Sequence, residues 1–174
     1  MANINLAINF VLRQEDAKLT GVITDTTSDS GGRTRFGVAE KYHPDLTKTG
    51  FYDNMDFSDA LEIADSVYKN QYAVPLQISN INSQDIANAL LSFGVNIGTS
   101  TIIGIVQEVC GVAQDGVVGP KTLAAINKAN PTTFLSFLAK RIRIYYADLV
   151  SINLSQSRFL AGWLNRVNQN CLVV

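Results

Sequence analysis

Apolar residues recur along most of this chain at steps of three and four, the spacing of helices that each bury one stripe. Ile4, Ile8 and Val11 form the first stripe, and Asn3 ahead of them has the short polar side chain that caps opening amides. The pattern predicts a helix to about Asp16. It lapses from Gly21 to Val38, where Thr, Asp, Ser and Gly cluster. The β-prone pieces Gly21-Val22-Ile23-Thr24 and Thr34-Arg35-Phe36-Gly37-Val38 flank that cluster, which predicts a small hairpin with a long connection. A short turn through Glu40 and Tyr42 should stop before His43-Pro44, because proline pushes its predecessor out of the helical region.

Helical spacing resumes after Asp56, with Phe57, Ala60, Leu61, Ala64, Val67, Tyr68 and Tyr72 on one face and Pro75 as the stop. Ser83 caps a stripe of Ile86, Leu90, Phe93 and Ile97, and Ser100 restarts the pattern through Ile102, Ile103, Val106 and Val109 until Gly111 breaks it. The run from Asp115 to Thr122 joins a tight Asp-Gly turn to a second glycine and then to Pro120, at a first helical position where the missing N–H costs nothing. Further helices are predicted to about Asn127, from Thr132 to Leu149 behind Pro131, and from a Ser155 cap through Phe159, Trp163 and Val167. No repeat or flexible linker separates the two halves, so they should share a core. The expected fold class is mainly α, with a small β-hairpin near residues 21–38.

A chain of 174 residues that is 47% hydrophobic and 17% charged fits one globular body, and its apolar runs are too short to span a bilayer. No stable membrane insertion is expected, and the opening residues lack the basic leader and small-residue cleavage site of a secretory signal. Cys110 and Cys171 have neither CxxC spacing nor a neighbouring histidine, which favours free thiols. His43 is the lone histidine, so zinc sites of the usual composition and Ser-His-Asp or Cys-His chemistry are starved of partners. Net charge is −1, but its distribution is uneven: residues 1–119 carry seven Lys/Arg against fourteen Asp/Glu, and residues 120–174 seven against Asp148 alone. The basic C-terminal third suits an anionic partner, whether nucleic acid, phospholipid headgroups or a cell-wall polymer, or else a solvated helix face.

Acids, glycines and hydroxyls concentrate between Glu15 and Val38. A step of four from Val11 lands on Glu15, which should therefore close the buried stripe. Burial disfavours the charged form of a carboxylate, and a proton-bearing glutamate is a general acid. As a calcium loop, Asp25, Thr27 and Asp29 fit the first, third and fifth positions, but Ser30 and Phe36 stand where glycine and glutamate are needed. A phosphate cradle at Gly31-Gly32-Arg33-Thr34 lacks the lysine and the glycine spacing. In a glycosidase site Glu15 would protonate the leaving oxygen, while Asp29 and Thr34 hold water at the opposite face of the sugar. A capping or salt-bridged carboxylate is the simpler alternative for Glu15.

Four segments in order, Glu15, then Asp29-Ser30-Gly31-Gly32-Arg33-Thr34-Arg35-Phe36-Gly37-Val38, then Asp115 to Thr122, then Gly162-Trp163-Leu164-Asn165-Arg166, resemble glycoside hydrolase family 108 over nearly the whole chain. The resemblance implies a lysozyme-like helical fold and N-acetylmuramidase activity without metal or organic cofactor. It implies that Glu15 is the catalytic acid, Asp29 the water-orienting carboxylate and Thr34 its hydroxyl partner. By the same resemblance residues 1–98 are the hydrolase region and residues 99–174 a peptidoglycan-binding region in the same core, with Arg141, Tyr145 and Trp163 contacting substrate. The implied partner is peptidoglycan rather than nucleic acid. The implied setting is a monomer made in the bacterial cytoplasm and acting at the wall, for cell lysis or toxin release, delivered by a holin or another export partner. Two features depart from the family pattern. Asp16-Ala17-Lys18 follows Glu15 where the family has Gly-Gly-aromatic, and the long span to Asp29 leaves Asp25 as an alternative second carboxylate. A lytic transglycosylase, or a non-catalytic wall-binding adaptor on the same fold, are the competing functions.

Overall fold

The computed structural model describes residues 1–25 and 32–171. Helix α1, Ile4–Glu15, opens as its sequence dictates: the Asn3 side chain accepts hydrogen bonds from the amides of Asn5 and Leu6 at 2.9 and 3.3 Å. Ala7, Ile8, Val11 and Leu12 form its buried face. The sheet that follows has three antiparallel strands, one more than the expected hairpin: β1 (Thr24–Asp25), β2 (Arg33–Arg35) and β3 (Val38–Ala39), in that spatial order. Strand β3 was hidden in the sequence because Phe36 and Gly37 make a two-residue turn inside a stretch that reads as one strand. Both have positive φ, at 50° and 77°, and the pairing of Arg35 with Val38 closes the hairpin around them.

Helix α2, Phe57–Val67, is capped by Asp56, whose carboxylate accepts from the amide of Phe57 at 2.7 Å. It runs on into a wider helical turn over Tyr68–Ala73, so the predicted single helix to Tyr72 changes pitch at Tyr68. Helix α3, Gln84–Ile97, lies at the centre and packs against α1, α4 (Thr99–Cys110), α6 (Pro131–Ile152) and α7 (Ser157–Cys171). Eight of its residues in a row except Asn88, from Ile86 to Gly94, are buried, more than the single stripe expected, because it has helices on several sides.

Helix α5, Pro120–Lys128, starts at Pro120 as expected. The start of α7 departs from expectation: it begins at Ser157 after a short turn over Leu154–Gln156, and Asn153 rather than Ser155 supplies the side-chain acceptor that organises that turn. Buried residues from both halves, among them Leu12, Phe51, Leu90, Ile103, Leu138 and Val167, belong to one hydrophobic cluster. Cys110 and Cys171 are free thiols, and burial pushes that of Cys171 up to about 12. Among the described residues no helix is long and apolar enough to cross a membrane.

Candidate active site

Glu15 is the last residue of α1, and the β2–β3 turn lies directly against it. Gly37 makes that approach possible. A Cβ built at Gly37 would stand 2.7 Å from the Cβ of Glu15 and 2.5 Å from the hydroxyl of Tyr68, closer than side-chain atoms come to one another. The Tyr68 hydroxyl in turn donates to the carbonyl of Phe36 at 2.8 Å, fixing the turn from the helical side. Burial raises the Tyr68 hydroxyl well above its ordinary range, with the nearby Glu15 charge adding to the effect, so Tyr68 stays a neutral donor.

Glu15 is covered differently from the expectation of apolar burial. Its side chain is 23% exposed, and Arg166 of α7 donates to Glu15 Oε1 at 2.8 Å. The other arm of the guanidinium reaches Gln14 Oε1 and Ser92 Oγ, each at 3.3 Å, and Ser92 also donates to Gln14. Ser92 is fully buried on α3, so α1, α3 and α7 converge on this one arginine. Sequence reasoning gave Arg166 no role. Its only signal was its place at the end of the Gly-Trp-x-x-Arg run, because its partner lies 151 positions away.

Asp16 bonds to the loop that follows α1. Burial acts to raise its carboxyl, but hydrogen bonds from Thr20 and Gly21 outweigh this and hold it below its usual range. With the Gly21 amide at 2.7 Å, Asp16 closes the loop after α1.

Beside Glu15, the turn and the wide helical segment form a cleft lined by Gly37, Val38, Tyr42, His43, Tyr68 and Tyr72. Tyr42 is 69% exposed and Tyr72 half-buried, so aromatic residues of the cleft are accessible from solvent. His43 is buried, which lowers its affinity for a proton despite the opposing pull of Asp45; it is a neutral wall of the cleft.

Two arginines fasten the sheet. Arg33 donates to both oxygens of Glu40 at 2.8 and 2.7 Å and to the Tyr52 carbonyl at 2.8 Å, holding the Glu40 carboxyl down at about 2. Buried Arg35 donates to the carbonyls of Gly21, Phe51 and Met55, all at 3.0 Å.

Thr34 sits in the middle of β2, paired with Thr24 on one side and Ala39 on the other, on the strand that leads into the Gly37 turn. Asp25 stands opposite Arg33 on β1. Asp29 lies outside the described residues, as do Thr27, Ser30 and Gly31 of the stretches weighed as a calcium loop and a phosphate cradle. The three residues expected to contact substrate from the second half are each engaged within the protein. Arg141 pairs with Glu108 of α4 at 2.8 Å. Tyr145 tilts against Tyr146, and Trp163 stacks on Tyr146 with ring centroids 4.9 Å apart and planes 16° from parallel.

The fold and site define a mainly α, lysozyme-like protein whose candidate acid stands where the first helix meets a small sheet. The family described as "Glycosyl hydrolase 108" matches residues 8–98, more than half of the chain, and a second family described as "Predicted Peptidoglycan domain" matches residues 101–168. The chain belongs to the glycosyl hydrolase 108 family, and the two matches together indicate a hydrolase that acts on peptidoglycan at the cell wall. No curated protein sequence matches the chain. The solved structure of SagA from Brucella abortus aligns over 95% of this chain and 90% of that one, with a TM-score of 0.73 and 24% identity, a likeness of fold.

Proposed function

We propose that the chain is an N-acetylmuramidase, cleaving the β-1,4 bond between N-acetylmuramic acid and N-acetylglucosamine with Glu15 as general acid. The observation that carries this reading is the approach of the Gly37 turn to Glu15. A glycine stands where any side chain would collide with the carboxylate's stem, beside a cleft lined by aromatic side chains. Glu15 gives its proton to the glycosidic oxygen as the bond to the anomeric carbon breaks. Water adds to that carbon and loses its proton to the second carboxylate, Asp29 or else Asp25, with Thr34 helping to hold the water. The separation of the two carboxylates sets the stereochemical outcome, a wide gap leaving room for water and giving inversion.

In this reading residues 1–98 carry the chemistry and residues 99–174 hold the wall, sharing one core and working as a monomer. Arg141, Tyr145 and Trp163 contribute to the wall-binding face, where aromatic rings meet sugars and guanidinium groups meet the carboxylates of stem peptides. The biological setting is lysis of a bacterial cell or release of a toxin through the wall, with a holin or another export partner giving access. The test is digestion of purified sacculi, borohydride reduction and mass spectrometry of the soluble fragments. Reduced muramic acid ends are expected. Anhydro ends would make the enzyme a transglycosylase, and sacculi that retain the protein without releasing fragments would make it an adaptor.

A further inference from the structure

We infer that Arg166, supplied by the segment that matches the peptidoglycan family, is the positioning residue for Glu15, so that the catalytic centre is composite and the hydrolase segment does not complete it alone. The inference rests on the muramidase reading above. Residues 8–98 match the hydrolase family and residues 101–168 the peptidoglycan family, yet the one charged group bonded to Glu15 among the described residues comes from the second segment.

Three features distinguish this contact from a surface ion pair, which contributes little to a fold and orients nothing. The Arg166 side chain is only 17% exposed. Its guanidinium is fixed from two further directions, by Gln14 on α1 and by buried Ser92 on α3, so it cannot follow the carboxylate if the carboxylate swings. The stem of Glu15 is confined by the backbone of Gly37. A carboxylate whose stem meets a fixed backbone and whose oxygen meets a fixed cation is restricted in orientation, and general acid catalysis depends on such placement.

The arrangement also ties wall binding to chemistry. Trp163 precedes Arg166 by one turn of α7 and stacks on Tyr146 of α6, whose hydroxyl donates to Asn96 of α3 at 2.6 Å. The seat of Arg166 is thus set by the packing of α7 on α6 and α3.

The experiment compares the intact protein with Arg166→Ala, Arg166→Lys, Ser92→Ala and Glu15→Gln in solubilising sacculi, recording kcat, KM and thermal unfolding. Arg166→Ala is expected to lose kcat by about 30-fold with KM within about twofold, the signature of a residue that acts on the transition state rather than on binding. Arg166→Lys should recover part of the lost kcat, and Ser92→Ala should lower kcat slightly with KM unchanged. If Arg166→Ala does not fold, the kcat values of Ser92→Ala and Arg166→Lys decide, and wild-type kcat in both overturns the inference. A folded Arg166→Ala with wild-type kcat overturns it as well. Glu15→Gln separates this failure from that of the underlying reading: wild-type turnover in Glu15→Gln sinks both, whereas an inactive Glu15→Gln beside an unaffected Arg166→Ala sinks this inference alone.

Discussion

At Gly37 the need for glycine is a matter of two contacts and one dihedral angle. Its φ of 77° already disfavours other residues, and a Cβ there would meet both the Glu15 stem and the Tyr68 hydroxyl. Gly37→Ala is therefore expected to displace the turn or the acid and to lower turnover on the order of 100-fold, the scale at which small misplacements of a reacting group are felt. Wall-digestion kinetics beside far-ultraviolet circular dichroism would check that activity falls while the fold remains. The sequence made Glu15 and Gly37 legible, one as the next step of an apolar stripe and the other as the end of a glycine-rich motif. The cover over Glu15 was not legible, because helical periodicity says which face a residue occupies and not what a distant helix brings to it. An ionic partner 151 positions away took the place of the apolar pocket that local spacing implied.

At the scale of elements, buried polar side chains do the fastening, and the reach of each is invisible in a linear pattern. Arg35 serves three carbonyls, tying β2 to the loop at Gly21 and to residues 51–55. Arg35→Ala would leave these buried acceptors unpaired and is expected to cost about 3 kcal/mol by urea denaturation. The Asp115 to Thr122 motif has a similar explanation. The fully buried amide of Gln107 donates to Asp115 at 2.6 Å, to the Val117 carbonyl at 2.9 Å and to Thr122 at 3.2 Å, and accepts from the Gly116 amide at 3.1 Å. That motif is a clasp between α4 and α5. The sequence showed its turn and its proline but not the glutamine at its centre.

The sheet's outer clasp is sensitive to acid. Glu40, held near 2 by Arg33 against an ordinary value of 4.5, has a depressed folded-state value, so its contribution to stability is complete above about 4.5 and is lost as pH falls toward 2. Melting temperatures measured across that window should fall less steeply for Glu40→Gln than for the intact protein; equal slopes would contradict the assignment.

For the molecule as a whole, α3 is the common wall of both halves, and one hydrophobic cluster runs through them. Thermal unfolding is accordingly expected as one cooperative transition, coincident by near- and far-ultraviolet circular dichroism, whereas two separated transitions would show that the halves are independent. The helical spacing in the sequence gave the helices and their order, since each stripe reflects a local period. It did not separate β3 from β2, where two positive φ values fold a continuous β-prone run back on itself, and it did not locate the start of α7, where Asn153 caps ahead of the expected serine.

Glu15 is proposed to supply the proton that breaks the glycan. The most direct measurement is the rate at which the intact protein and Glu15→Gln release reducing muropeptides from sacculi, at matched amounts of protein bound to the wall. The amide keeps the shape of the acid and removes its proton, so release should fall on the order of 1,000-fold while binding to the wall stays the same. Release by Glu15→Gln within a few-fold of the intact protein would contradict a role for Glu15 as the acid and place it elsewhere in the chain.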